Sequence, residues 1–369
     1  MIPLTAPSPA TQLEPSFIRS FRRRLIDWYR RHRRELPWRN TKDPYAIWIS
    51  EIMLQQTQVA TVIPYYERFL QAFPTVEDLA NAPESQVLER WAGLGYYSRA
   101  RSLRAAAQQI VERHGSEFPR DEAKILELPG IGRYTAGAIR SIAFDQKAPL
   151  LDGNVARVLT RVFALRGDPK SGPVSKRLWE IASILVPPRT ASDFNQGLME
   201  LGALICSPRQ PHCGRCPVRR LCHAYAAGLT DVLPESSPKR ATVSVTLTAA
   251  GIHDPSGRLL LVRRTGERLM EGLWELPTIE YTEPVEPALR RSIEERTGQT
   301  ITPGRRLGTV RHAITHRRLQ VIVLSGRCST PKMPARNADW MWWDPDEDPP
   351  ALSGLAQKTI RLWRRSREW

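Results

Sequence analysis

The stretch that most restricts what this chain can become is Leu128-Pro129-Gly130-Ile131-Gly132-Arg133-Tyr134-Thr135-Ala136. Pro129-Gly130 and Gly132 interrupt the chain, and small and apolar residues then resume at helical spacing as far as Ala143. The pattern predicts a helix, a tight glycine turn and a second helix. Glycine admits φ > 0 in the turn and leaves its outer face free of side chains. The turn amides and the new helix N-terminus can then approach a phosphate directly. Twenty positions after Gly132 stands Asp152, in Leu150-Leu151-Asp152-Gly153-Asn154-Val155. An aspartate in that context suits a helix N-cap. A capping carboxylate is also held ionised and fixed in direction, so the cap and a catalytic role are compatible.

Charge narrows the partner. Fifty-four Lys and Arg against 38 Asp and Glu leave a formal net charge of +16 across 369 residues, a bias that a polyanionic partner explains. A membrane surface is the rival reading. No apolar run approaches the roughly 18 residues of a spanning helix, and no charged-then-apolar leader opens the chain. A soluble, intracellular, nucleoid-associated protein of two or three domains is expected. Four of the five cysteines crowd into Cys206-x6-Cys213-x2-Cys216-x5-Cys222, which reads as a metal site and not as a disulfide framework. Thiolate sets of this kind accept Zn²⁺ or an iron–sulfur cluster, and chemistry alone does not choose. Four ligands leave no open position, so the expected role is to tie down a loop, with Arg209, Arg215, Arg219 and Arg220 turned to phosphates.

Taken in order, residues 1–15 are Pro-, Ser- and Thr-rich and expected to be disordered. Ser16 is a candidate N-cap for an amphipathic helix reaching Arg34, whose arginines form a charged face. Leu36-Pro37-Trp38-Arg39 ends it. Asp43-Pro44 starts another helix, with Asp as N-cap and Pro at the first position. Glu51 lies deep in that helix between apolar neighbours. A carboxyl in apolar surroundings keeps its proton near neutral pH, which suits a general acid; pairing with an arginine is the plainer alternative. Gln55-Gln56-Thr57-Gln58 follows, able to hydrogen-bond bases or to be plain surface. Residues 64 to 127 read as further helices. They are broken by Trp91-Ala92-Gly93-Leu94-Gly95-Tyr96-Tyr97, where an exposed Leu94 would wedge between bases or else pack in a core. Gln196 sits mid-face in the apolar stretch 194–202 and is expected to face a pocket. Residues 226–240 read as a linker. Beyond it the period changes from helical to two. Residues 241–247, 258–262 and 319–324 read as strands, and residues 287–297 and 352–369 as helices. Trp340, Trp342 and Trp343 read as core of this second domain more than as stacking platforms.

The hairpin followed by Asp152 resembles the helix-hairpin-helix DNA glycosylases, in which the hairpin grips the DNA backbone. The cysteine loop is similar to the [4Fe–4S] loop of their endonuclease III branch. Adding Ser50 to Val59, the Gly-Leu-Gly-Tyr-Tyr loop and the second domain, the sequence from about residue 16 to 369 resembles the adenine DNA glycosylases of the MutY family. The resemblance implies an α+β multidomain protein: an all-α helix-hairpin-helix glycosylase domain (16–225) carrying a [4Fe–4S] loop (206–222), the linker, and a C-terminal Nudix-like, MutT-related α+β domain (241–369).

It further implies base excision repair, with adenine removed opposite 8-oxoguanine or guanine in double-stranded DNA. The enzyme would act as a monomer, leaving its product to an AP endonuclease. Glu51 takes the position of the family's general acid and Asp152 that of the carboxylate facing the sugar cation. Tyr134 and Asn154 support them, and Arg34, Trp38 and Gln196 match the adenine pocket. Gln56, Thr57, Leu94, Tyr96, Gly130 and Gly132 match DNA-contacting positions. Tyr134 stands where the lyase relatives carry a lysine nucleophile, and a tyrosine cannot form an imine. A monofunctional glycosylase is therefore expected. In the segment 291–298, Ser292 and Arg296 replace two of the three glutamates of a Nudix box, too few to hold Mg²⁺ against a pyrophosphate. The family's His-x-Phe-Ser-His loop reads His312-Ala313-Ile314-Thr315-His316 here, so Thr315 keeps a hydroxyl and His316 is retained, while Ile314 gives up ring stacking. Two other readings fit part of the pattern: a pyrimidine-lesion glycosylase/lyase, and a non-catalytic, metal-stabilised DNA-binding protein.

Overall fold

The structure, a computed structural model, describes residues 13–237, 241–266, 270–314, 316–332 and 338–366. These form two compact units. One comprises residues 13–81 and 102–237, the other residues 82–101 and 241–366. Helices come first: α1 (Pro15–His32), α2 (Pro44–Leu54), α3 (Val59–Ala72), α4 (Val76–Asn81), α5 (Glu84–Trp91), α6 (Ser98–His114), α7 (Glu122–Leu126), α8 (Arg133–Ile142), α9 (Gly153–Val162), α10 (Gly172–Leu185), α11 (Ala191–Leu204) and the short α12 (His223–Ala226). Strands β1 (Val243–His253), β2 (Leu259–Arg263), β3 (Trp274–Glu275) and β4 (Thr278–Glu280) precede α13 (Val285–Thr297), and β5 (Thr302–Ile314), β6 (Arg317–Arg327) and β7 (Trp340–Trp343) precede α14 (Gly354–Arg365). No helix among the described residues is long and apolar enough to cross a membrane.

In the helical unit, α1 buries Phe21, Leu25, Trp28 and Tyr29 against α9, α10 and α11. Its N-cap is Glu14 with Pro15 next, not Ser16; proline's fixed φ suits the first helical position, where no amide donor is needed. The arginine face is partly structural. Arg22 donates to the carbonyls of Ile184, Leu185 and Val186, closing the C-terminal end of α10, and Arg30 pairs with Asp193. In α2 every residue from Tyr45 to Met53 is buried, and the Asp43 carboxylate caps it by accepting from the Tyr45 and Ala46 amides. Residues 226–237, read from sequence as linker, are partly packed. Leu233 is buried, and Glu235 accepts from Arg166 and the Gly167 amide.

In the second unit the described strands make a seven-stranded sheet, ordered β3-β2-β1-β6-β5, with β4 beside β1 and β7 beside β2. The β1–β6 pair is parallel and the others antiparallel. Period-two alternation sorts side chains between the faces. Leu259, Leu261, Met341 and Trp343 join α14 on one face. Leu260, Val262, Trp340 and Trp342 join α13 on the other. The three tryptophans are therefore core. Strand β5 escaped the sequence reading because it is a polar sheet edge interrupted by Pro303, Gly304 and Gly308, with register shifts around Arg306.

Candidate active site

The hairpin forms as the glycines predict, though the two do different work. Gly130 has φ +77, and a Cβ there would stand 2.5 Å from the Ser102 Cβ. Gly132 has an ordinary extended backbone and caps α8, exposed and with open space around it. The Ile131 amide closes the turn on the Leu128 carbonyl. The next turn of chain brings Asp152 to the N-cap of α9, where its Oδ1 accepts from the Val155 amide at 2.7 Å.

A cavity of about 590 Å³ is lined by Glu51, Tyr134, Asp152 and Asn154 together with Arg34, Trp38, Gln196, Gln56, Thr57 and Gly132. That is the size of a small-molecule site. It draws these residues from α2, the hairpin, α8, α9 and α11. Among the described residues no lysine lines it. Gly130 belongs to the hairpin but not to the cavity wall.

Glu51 is 4% exposed. The Tyr134 hydroxyl donates to its Oε2 at 2.6 Å. Burial pushes the Glu51 carboxyl up to about 7; the Tyr134 hydrogen bond opposes this and the nearby Asp152 charge reinforces it. Burial also raises Asp152 above the ordinary aspartate range, the opposite direction from a cap acting alone, while the Val155 amide and Asn154 pull it down. Asn154 donates from Nδ2 to Asp152 Oδ2 at 3.2 Å. Two neighbouring carboxyls in a dry site share protons as a pair. Asp152, with donors from both Val155 and Asn154, is the better anion of the two.

Two residues that sequence reasoning passed over support the site, Glu200 from within the cavity wall and Arg157 from behind it. Glu200 is buried, accepting from Arg34 at 3.0 and 2.6 Å and from Arg39 at 3.0 and 2.9 Å. Burial alone would raise its pKa, but these two guanidiniums overcome it and hold Glu200 at about 2. Its position four residues after Gln196, on the same face of α11, was the signal available. Gln196 donates to Ser192 Oγ at 3.1 Å. Arg157 is the other: it donates to Asn154 Oδ1 at 2.8 Å and to the carbonyls of Gly202 and Cys206. Gly202 permits this closeness, since a Cβ there would stand 2.6 Å from the Asn154 Cβ.

The four cysteines line one separate cavity. Burial pushes the Cys216 thiol up to about 12 and raises those of Cys213 and Cys222, so bare thiolates are unfavourable there and a metal centre would reverse the balance. Arg161, itself buried, donates to Cys206 Sγ at 3.3 Å and to the Ser207 and Pro208 carbonyls. The donor set and this guanidinium fit a cationic cofactor bound by thiolates. Among the described residues no three His, Cys, Asp or Glu converge closely enough to hold a single ion.

The remaining predicted contacts belong to the second unit. Leu94 is buried at 6% exposure, so it packs and does not protrude; Tyr96 is the exposed residue of that loop, at 45%. His316 is exposed between β5 and β6. Thr315 lies outside the described residues, as do residues 1–12.

Fold and site together define a base-excision DNA glycosylase of the helix-hairpin-helix kind. A family model described as HhH-GPD superfamily base excision DNA repair protein matches residues 49–183, and a NUDIX domain model matches residues 248–361. A solved thermostable thymine-DNA glycosylase has a TM-score of 0.53 at 34% identity, covering 57% of this chain and 98% of its own. Adenine DNA glycosylase of Rattus norvegicus is 38% identical over 408 residues, spanning 95% of this chain and 79% of that protein. That of Homo sapiens is 38% identical over 409 residues, spanning 94% and 74%. The chain belongs to the adenine DNA glycosylase family.

Proposed function

We propose that this protein is a monofunctional glycosylase that hydrolyses the N-glycosidic bond of adenine mispaired with 8-oxoguanine or guanine in double-stranded DNA. The observation that carries the reading is two carboxyls with unlike partners in one cavity: Glu51, buried and bonded by the Tyr134 hydroxyl, and Asp152, which accepts from the Val155 amide and Asn154. Adenine leaves poorly until a ring nitrogen is protonated. Glu51, uncharged up to about pH 7, donates to N7. Tyr134 fixes that carboxyl through its 2.6 Å hydrogen bond. As the bond breaks, positive charge grows on the sugar and the Asp152 anion meets it. By analogy with glycosidases, Asp152 captures the sugar covalently before water activated by Glu51 releases it. The base must first leave the duplex, and unstacking is offset by contacts in the cavity and by side chains filling the gap. Arg34, Trp38 and Gln196 form the adenine pocket, and Gln56, Thr57 and the hairpin glycines hold the DNA.

A [4Fe–4S] cluster is proposed on Cys206, Cys213, Cys216 and Cys222. Four thiols arranged around a cavity, and not on a point, suit a polynuclear group better than a single Zn²⁺. When bound it supplies charge and rigidity to the loop; Arg161 offsets the negative charge of its thiolates. The second domain is proposed to read 8-oxoguanine through Thr315 and His316. The protein acts as a monomer inside the cell, and an AP endonuclease processes its product.

Lyase chemistry needs an amine at the sugar, and among the described residues no lysine lines the cavity. Excision on A:8-oxoguanine, A:G, A:T and thymine glycol duplexes, with borohydride trapping in parallel, tests the proposal. Adenine release from the first two without an efficient covalent adduct is expected. Efficient trapping on the thymine glycol duplex would instead identify a pyrimidine-lesion lyase.

A further inference from the structure

The loop 91–97 carries backbone strain at an exposed tyrosine. Tyr96 holds a left-handed φ of +48, rare for a bulky side chain, just after Gly93 at +107 and Gly95 at +71. Something must over-determine that conformation. Arg99 supplies part of the answer, donating to the Leu94 and Gly95 carbonyls, both at 3.1 Å, and lying 5.5 Å from the Tyr96 ring centre. Trp91 donates from Nε1 to the Gly95 carbonyl at 3.1 Å. These contacts shape the loop.

Anchoring falls to Tyr97. Its ring is buried. Its hydroxyl accepts from the Gly93 amide at 3.2 Å and donates to the Leu352 carbonyl at 3.0 Å, across 255 positions of sequence. Arg101 adds a second tie, to the Glu271 carbonyl. Leu352 is itself fixed. It is buried, bridged to Trp274, and immediately precedes Ser353, whose Oγ caps α14 by accepting from the Ala356 amide. One residue further, a Cβ added to Gly354 would stand 3.7 Å from His312 Cε1, an ordinary van der Waals distance, so the start of α14 lies close against β5. His312 lies on β5, two residues from its end at Ile314.

We propose that Tyr97 is a positioning residue for lesion discrimination. Through its hydroxyl, the strand-and-helix framework that carries the 8-oxoguanine-reading turn also sets the conformation of the loop presenting Tyr96 to the DNA. The inference rests on the reading of Tyr96 and of Thr315–His316 as DNA contacts. Recognition of the oxidised base and insertion of Tyr96 are then registered on one rigid body. Removing the hydroxyl leaves a buried carbonyl and the Gly93 amide without that partner, a loss on the order of fivefold to tenfold in an equilibrium.

The test compares Tyr97→Phe with Tyr96→Ala in the full chain. Single-turnover adenine excision would be measured against protein concentration on A:8-oxoguanine and A:G duplexes, with the melting temperature of each variant. The expected result is a fivefold to tenfold fall in the preference for A:8-oxoguanine in Tyr97→Phe, carried by the concentration dependence and not by the rate at saturation. An unchanged preference in Tyr97→Phe beside a reduced one in Tyr96→Ala would overturn the proposal alone. Unchanged preference in both would remove the loop reading beneath it. Equal losses on both duplexes with a lowered melting temperature would make Tyr97 a packing residue and overturn the proposal as well.

Discussion

Glu51 is a carboxyl placed where water cannot solvate its anion, and two consequences follow from that one fact. In the proposed mechanism its protonated form is the proton donor, so excision should fall as pH rises through about 7, where burial has moved its pKa. The same shift carries a stability term of the opposite sense to that of a salt-bridged carboxylate. A folded-state pKa raised from 4.5 to about 7 stabilises the fold fully below the unfolded value. The contribution is lost as pH climbs through the folded one, by about 3 kcal/mol. Glu51→Gln keeps an acceptor for Tyr134 and removes the ionisation. It should match the wild type in denaturant stability near pH 4.5 and exceed it at pH 8 by up to about 3 kcal/mol. A variant less stable than the wild type at pH 8 would mean that the carboxylate is well solvated or paired. Glu200 shows the contrast: equally buried, it is ionised because Arg34 and Arg39 surround it.

Among the elements, those whose local chemistry is self-sufficient were legible in the sequence. The Asp43-Pro44 start of α2, the glycine turn before α8 and the Asp152 cap of α9 each depend on residues within a few positions of one another. What the sequence did not disclose depends on partners far along the chain. Glu200 is recognisable as an arginine-paired wall residue only once α11 lies beside residues 34–39, and Leu94 reads equally as a wedge or as core until its burial is seen. Strand β5 hid because an edge needs no apolar alternation. The cysteine loop lies between these cases: its ligands are legible, its guanidinium partner Arg161 is not. Protein purified anaerobically should be brown, with visible charge-transfer absorbance and about four irons per chain. A colourless protein holding one zinc would refute the cluster.

At the scale of the whole molecule, a net charge of +16 and a hairpin whose exposed Gly132 has open space around it bring the chain to DNA without regard to sequence. In the proposed reading selectivity comes from the cavity and from the second domain, and catalysis from Glu51 and Asp152. The account is tested most directly by single-turnover adenine release from an A:8-oxoguanine duplex, with protein in excess, by the wild type, Glu51→Gln and Asp152→Asn. Loss of either the proton donor or the anion should slow release by about 100-fold or more, with the duplex still bound. Release by both variants at the wild-type rate would contradict it, leaving residues 51 and 152 as structural groups in a DNA-binding protein.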